Sequence, residues 1–234
     1  MYLPGVHRAP NIEKDPDLYE IENLATDPEG HIERTMHSIA DWDGRIVADV
    51  GCGTGFYIDL FQSAAAHVYA IEPNDCLRLK AMARVAEQQW SNASVLTGSA
   101  AKLPLRDKSI GIYHSRFAYF WPPDCVPGIL ELDRVMHPNG TAFIIDTDYE
   151  HGEFSSWLAQ RTRPEPLSQS EKEIFWASHG FMKKRIESEW RFQSRSDLEA
   201  VIGLEFGSKL ALKLLANHTG LTIGYSFALY FREF

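Results

Sequence analysis

Three features are scarce in this sequence of 234 residues, and each scarcity excludes a class of protein. The three cysteines are Cys52, Cys76 and Cys125, so neither a disulfide framework nor a cysteine zinc site is predicted. No apolar run approaches the ~20 residues of a membrane-spanning helix. The first residues lack the charged and apolar regions of a signal peptide. We therefore expect a cytoplasmic protein without a membrane segment.

Positive charge is the third scarce feature. The sequence has 23 Lys and Arg against 32 Asp and Glu, which gives a net charge of −9. Nucleic-acid binding is disfavoured, because contacts with phosphates need Lys and Arg. The histidines show no metal-ligand spacing, so no metal is predicted. The 44% hydrophobic and 24% charged residues are ordinary for a globular protein.

The most informative stretch is residues 46–57, in which an apolar run meets glycines at alternate positions. The β-branched run Ile46–Val50 predicts a strand, and Gly51, Gly53 and Gly55 predict a tight turn before a helix. Strand, glycine turn and helix form the first half of a nucleotide-type βαβ unit. Glycine lets a ligand approach the bare backbone, and the free N–H groups of the helix attract anionic groups.

Two acidic residues indicate which ligand this turn binds. Asp49 precedes the turn, where it would repel a pyrophosphate but suits a ligand with an ammonium group. Glu72 ends a second apolar run, where an acid can hold both hydroxyls of a ribose. In the dinucleotide fingerprint the third glycine falls one position later than Gly55. A ligand with a ribose, an amine and a carboxylate, but no phosphate, fits S-adenosylmethionine.

The motif Val47–Gly55 resembles the first motif of the class I S-adenosylmethionine-dependent methyltransferases of the small-molecule "type 11" kind. Tyr69–Pro73 resembles the second motif, and the segments 102–109 and 131–141 resemble the links into the fourth and fifth strands. The resemblance covers residues 46–148. It implies a Rossmann-like, doubly wound α/β fold with a seven-stranded, mostly parallel sheet whose last strand is antiparallel. It also implies S-adenosylmethionine as the cofactor.

The resemblance also implies roles for individual residues. Asp49 and the glycines would hold the methionyl end, Glu72 the ribose, and Ser99 with Ala100 the adenine edge. Ser99 stands where the family often has an acid. The full set of expected cofactor contacts is Asp49, Gly51, Cys52, Gly53, Gly55, Glu72, Pro73, Ser99, Ala100 and His114.

Methyl transfer from a sulfonium is a direct displacement, so the enzyme mainly supplies approach and alignment. A base is needed only if the attacking atom must lose a proton. The candidates for such a base are His114, Asp146 and Asp148, which all lie at predicted strand ends. The alternative role of each residue is to hold a loop in place. A set of aromatic residues is expected either in a substrate pocket or in the core: Phe117, Tyr119, Phe120 and Trp121.

The chain is expected to form a single domain over residues 1–234. Residues 1–40 are predicted to be an irregular arm followed by a helix that starts at Asp27-Pro28-Glu29. The region of about 150–220 is predicted to add elements on the substrate side.

Within that added region, capping-box patterns at Ser168 and Ser196 predict two helix starts. The residues 183–192 predict a strand. We expect the helices of 196–218 to be inserted between the last two strands, where they can act as a lid over a substrate.

Three functions follow from this sequence. The first is methyl transfer from S-adenosylmethionine to a small-molecule acceptor, although no motif indicates the acceptor atom. The second is a non-catalytic protein that binds S-adenosylmethionine or regulates through it. The third, an NAD-type oxidoreductase, is disfavoured by Asp49 and by the early third glycine.

Overall fold

The structure is a computed structural model that describes residue 6 and the ranges 8–161 and 167–234. Its strands are β1 (Ile46–Val50), β2 (His67–Ile71), β3 (Ala93–Leu96), β4 (Ile110–Arg116), β5 (Met136–Thr147), β6 (Met182–Arg191) and β7 (Thr222–Glu233). Its helices are α1 (Pro10–Lys14), α2 (Pro16–Ala25), α3 (His31–His37), α4 (Ile58–Gln62), α5 (Asp75–Glu87), α6 (Val126–Val135), α7 (Glu153–Leu158), α8 (Gln169–Ser178) and α9 (Arg195–Leu215).

The strands form one seven-stranded sheet in the order β3-β2-β1-β4-β5-β7-β6. The strands β1 to β5 pair in parallel, and β7 runs antiparallel to both β5 and β6. This confirms the predicted fold, including the antiparallel last strand. The strand order reverses between β1 and β4, and ligands of open α/β sheets bind outside the carboxyl ends of the strands at such a point.

The central strands are buried on both faces, as expected of a parallel sheet covered by helices. Successive side chains of a strand point to opposite faces, so each strand contributes to two apolar clusters. Val47, Ile112 and Phe143 belong to one cluster, while Ala48 and Tyr113 belong to the other. The sheet is thereby fixed from both sides, and the strand ends that border the ligand crevice are held firmly.

The N-terminal region differs from the prediction of an irregular arm. Its described part forms the helices α1 and α2, which begin with Pro10 and Pro16. Each proline occupies the first helical position, where its missing N–H costs no hydrogen bond. The helix α3 begins at His31, later than predicted, although Asp27 accepts hydrogen bonds from the first backbone N–H groups of that helix.

The predicted elements after residue 150 are present, with a correction at one helix start. The capping box at Ser168 is confirmed. The prediction of a cap at Ser196 is wrong, because the side chain of Ser194 accepts the hydrogen bond from the Asp197 N–H. The helix α9 is interrupted at Gly207, which separates the two predicted helices, and it lies between β6 and β7 as expected.

The helix α6 starts at Val126, after a turn over residues 122–125 that contains a cis bond between Pro122 and Pro123.

Candidate active site

A cavity of about 630 Å³ lies at the carboxyl edge of the sheet, beside the ends of β1, β2 and β4. Its volume is within the range of small-molecule sites. The helices α1 and α2 contribute one part of its wall, and residues of α7 to α9 contribute another. The cavity brings together eight of the predicted site residues: Gly51, Cys52, Gly53, Glu72, Pro73, Ser99, Ala100 and Asp146. The other four, Asp49, Gly55, His114 and Asp148, are not in its lining.

Two glycines of the turn, Gly51 and Gly53, serve different purposes. Gly51 has a φ of +78°, and a Cβ there would lie 2.4 Å from the Cβ of Ala118. Gly53 has a φ of +56°, and a Cβ there would lie 2.8 Å from the Cδ1 of Ile12, which lines the cavity. Gly51 therefore allows the close approach of a neighbouring loop, whereas Gly53 presents bare backbone to the cavity.

Glu72 is held rigidly at the end of β2. Its Oε2 accepts a hydrogen bond from the Gly53 N–H at 2.9 Å, and its Oε1 accepts one from the Asn74 N–H at 2.7 Å. Burial raises the pKa of Glu72 to about 7, even though these hydrogen bonds lower it. An ionised carboxylate has about four acceptor sites, so it can accept ligand hydroxyls in addition to these two N–H groups.

Asp49 and His114 form a buried pair beneath the turn. They are direct neighbours in the pairing of β1 with β4, and the Oδ1 of Asp49 lies 2.8 Å from the Nδ1 of His114. The other oxygen of Asp49 is buried and has no hydrogen-bond partner within the described ranges. His114 also borders a second cavity, next to α2 and α3. A contact of either residue with a cofactor remains a prediction.

The two candidate bases at the end of β5 have different surroundings. Asp146 lines the cavity, and its Oδ1 accepts a hydrogen bond from the Thr147 N–H. Asp148 is fully buried and binds His151 and Lys183 at 2.8 and 2.9 Å. Burial opposes ionisation of Asp148, but these two partners hold its pKa below the usual value. Of the three candidate bases, Asp146 is the one in the cavity lining.

Arg116 is a site residue that the sequence analysis did not select, although it is at the end of β4. Its Nε and Nη2 are buried and have no hydrogen-bond partner among the residues that the structure describes. The guanidinium carbon lies 4.4 Å from the ring centre of Tyr57. Arg116 lines the same cavity as Gly51. A guanidinium with two unused donors suits a carboxylate ligand.

Aromatic residues dominate the opposite part of the cavity. Phe154 stacks on Tyr225 with ring centres 4.3 Å apart and lies 4.6 Å from Trp190. Four aromatic residues were predicted to lie either in a substrate pocket or in the core. Three of them line the cavity: Phe117, Tyr119 and Trp121. The fourth, Phe120, is buried in the core. Trp190 and Tyr225 come from the last two strands in the chain, and no local pattern marks them.

Among the described residues, no group of His, Cys, Asp and Glu is arranged to hold a metal ion. Nor does that part of the chain contain a helix long and apolar enough to span a membrane.

Fold and cavity together define an α/β protein with a ligand site of the nucleoside-binding kind at the switch point of its sheet. Residues 48–144 match the family model described as "Methyltransferase domain". An uncharacterized methyltransferase of Geobacillus kaustophilus is 27% identical over 123 residues, which cover 52% of this chain and 55% of that protein. A demethylmenaquinone methyltransferase of Lactococcus lactis is 27% identical over 119 residues, with 50% and 47% covered. The chain thus spans about half the length of these curated relatives.

Solved structures share the fold over most of the chain. The YcgJ protein of Bacillus subtilis has a TM-score of 0.63 at 18% identity, with 87% of this chain and 97% of that one covered. A SAM-dependent methyltransferase of Aquifex aeolicus has a TM-score of 0.58 at 20% identity, with 92% and 97% covered. Over residues 48–144 the chain is therefore a methyltransferase domain of the type 11 family, which uses S-adenosylmethionine. The predicted family is confirmed, and with it S-adenosylmethionine as the family's cofactor.

Proposed function

We propose that this protein transfers a methyl group from S-adenosylmethionine to a small-molecule acceptor bound in the same cavity. One observation carries the proposal: the glycine turn, Glu72 and the pair Ser99-Ala100 line one cavity, whose opposite part is aromatic. The turn and the acid are the parts expected for a nucleoside without a phosphate. The aromatic part leaves room for an acceptor beside it.

The residues present fit the cofactor. The carboxylate of Glu72 would accept the ribose hydroxyls, because two backbone N–H groups already fix its orientation. The bare backbone of Gly53 and the unused donors of Arg116 would hold the methionyl end. Ser99 and Ala100 would border the adenine edge. Gly51, Cys52 and Pro73 complete this wall, while Asp49, Gly55 and His114 would act from behind the turn.

When bound, S-adenosylmethionine supplies an electrophilic methyl group and a neutral leaving group. The protein itself would align the acceptor and exclude water. The helices α1, α2 and α9 would serve this purpose, because they contribute to the cavity wall. Asp146 is placed to accept a proton if the attacking atom carries one.

Two properties support a small acceptor. The cavity lies beneath the N-terminal helices and the inserted helix α9, and its volume is about 630 Å³. The net charge of −9 disfavours a nucleic-acid acceptor, because such an acceptor needs basic contacts.

Thermal unfolding with S-adenosylmethionine, S-adenosylhomocysteine and NAD, each added alone, tests the proposal. A ligand at 100 times its dissociation constant adds ~2.7 kcal/mol of stability and raises the midpoint by several degrees. We expect a shift with the first two ligands and none with NAD. The variant Glu72→Gln should show a smaller shift at the same ligand concentration, while Glu87→Gln, on the exposed surface of α5, should keep the full shift. A shift with NAD alone would contradict the proposal.

Formation of S-adenosylhomocysteine from S-adenosylmethionine, measured with a set of candidate acceptors, then separates transfer from mere binding. Turnover with any acceptor would exclude a non-catalytic binding protein.

A further inference from the structure

We propose that the acceptor carries a positively charged amine, which binds between the carboxyl group of Glu22 and the rings of Trp190 and Tyr225. This inference rests on the proposed function, because it assigns a substrate class to the acceptor part of the same cavity.

The anchor for the amine is one of two buried acids that meet in the cavity wall. Glu22, from α2, and Glu205, from α9, share a hydrogen bond between their carboxyl groups. Glu205 has two further partners, since Arg161 donates to its Oε2 at 3.3 Å and the Asn11 amide donates to its Oε1. The Oε2 of Glu22 is buried, and no N–H or hydroxyl group in the part of the chain that the structure describes donates a hydrogen bond to it.

In this arrangement Arg161 balances the charge of Glu205, whereas no described cation binds Glu22. Burial raises the pKa of Glu22 well above its usual value, and the charge of Glu205 raises it further. Glu22 therefore keeps a proton in the empty cavity and shares it with Glu205. A cation placed beside Glu22 would favour its ionised form, so that the cation replaces the proton.

Other groups around Glu22 do not supply that cation. Arg161 already binds Glu205, and the charge of Arg8 is matched by Glu13 at 3.1 Å. Three tyrosines also face Glu22, and burial raises the pKa of each, which keeps them neutral: Tyr19, Tyr57 and Tyr225. Lys172 lines the same cavity, with its Nζ 3.5 Å from the ring centre of Tyr149. Arg116 lines the cavity together with Gly51 and Gly53, and the carboxylate of the cofactor would neutralise it.

Aromatic rings complete the amine site. Trp190 and Tyr225 line the cavity with Glu22, and their ring centres are 5.3 Å apart. Phe154 packs against both rings. The face of an aromatic ring attracts a cation, and the attraction is stronger where water is excluded. A carboxylate with neighbouring aromatic rings distinguishes an ammonium group from a neutral hydroxyl of similar size.

The test compares amines with alcohols of the same shape. Benzylamine, phenethylamine and tyramine, and the alcohols that correspond to them, are titrated into protein saturated with S-adenosylhomocysteine. Calorimetry in buffers of different ionisation enthalpy gives both the affinity and the number of protons released. We expect at least one amine to bind tenfold or more tightly than its alcohol and to release a proton.

The variant Glu22→Gln should abolish this preference, whereas Glu87→Gln should retain it. In a pH series that starts at 4.5, the usual pKa of a Glu, and runs upward, the affinity of wild-type protein for the amine should rise, because the raised pKa of Glu22 means that a proton must leave. This pH series needs no variant, so it decides the matter even if Glu22→Gln does not fold.

The outcomes separate the two proposals. If S-adenosylhomocysteine does not bind, the proposed function fails. If it binds but no amine is preferred over its alcohol, or if the preference survives in Glu22→Gln, the amine site is refuted. An amine affinity that does not rise anywhere in this pH series would also overturn it.

Discussion

The ribose contact assigned to Glu72 predicts that S-adenosylhomocysteine binds more weakly in mild acid. Burial raises the pKa of this carboxyl group to about 7 in the free protein, from its usual value of 4.5. Hydroxyl groups of a ribose donate to an ionised carboxylate, so the ligand binds the form that has lost its proton. Below pH 7 each binding event must therefore release the proton of Glu72.

The size of the effect follows from that pKa. If only the ionised form binds, affinity falls about tenfold for each pH unit below 7. At pH 5.5 it should be roughly thirtyfold lower than the value reached when Glu72 is fully ionised. The raised pKa also corresponds to an unfavourable free energy of about 3 kcal/mol for the charged form in the empty cavity.

The same group has the opposite effect on the stability of the free protein. Between pH 4.5 and 7 the folded state holds a proton that the unfolded state has lost, so this contribution makes the protein more stable as the pH falls toward 4.5. Weaker binding in mild acid can thus be told apart from acid unfolding. Both quantities are measured from pH 5.5 to 7.5 at constant ionic strength, by calorimetry and by urea unfolding.

The variant Glu72→Gln is the control for this prediction. It keeps one acceptor oxygen but has no proton to lose, so its affinity should be lower than that of the wild type at pH 7.5 and independent of pH. A flat profile in the wild type, or an equal slope in the variant, would refute the reasoning.

Three further predictions concern the turn and the residues beside it. Gly51→Ala should lower the free energy of unfolding in urea by about 2–4 kcal/mol, because its Cβ would collide with Ala118 at a positive φ; an unchanged midpoint would contradict this. His114→Ala should destabilise the protein by about 3–5 kcal/mol, since it leaves the carboxylate of Asp49 buried without its partner; full stability with lost turnover would instead indicate a catalytic base. Arg116→Gln should weaken S-adenosylhomocysteine by about 1.5–3 kcal/mol and leave methylthioadenosine, which lacks the carboxylate, unaffected; equal losses for both ligands would place Arg116 elsewhere.

The parts of the site that are close in sequence were predictable. The glycines follow β1 directly, and Glu72 follows β2. Parallel neighbouring strands bring such ends together at one edge of the sheet, so two local patterns were enough to place the turn and the acid side by side. The same rule predicted Asp146, and the family resemblance implied Ser99; both also line the cavity.

The acceptor part was not predictable, because its residues come from separate elements. Glu22 is on α2, Glu205 on α9 and Trp190 on β6, and no spacing in the sequence links them. Their meeting depends on how α2 and α9 pack over the sheet. The helices α1 and α2 were missed for a different reason: their prolines were interpreted as breaking the chain, whereas each one begins a helix.

A crystal structure with S-adenosylhomocysteine tests the central claim most directly. We predict that the ribose hydroxyls lie within hydrogen-bonding distance of the Glu72 carboxylate, with the adenine beside Ser99 and Ala100. The methionyl carboxylate should lie against Arg116. Ligand density in the second cavity, between α2, α3 and His114, or a ribose without contact to Glu72, would contradict the account.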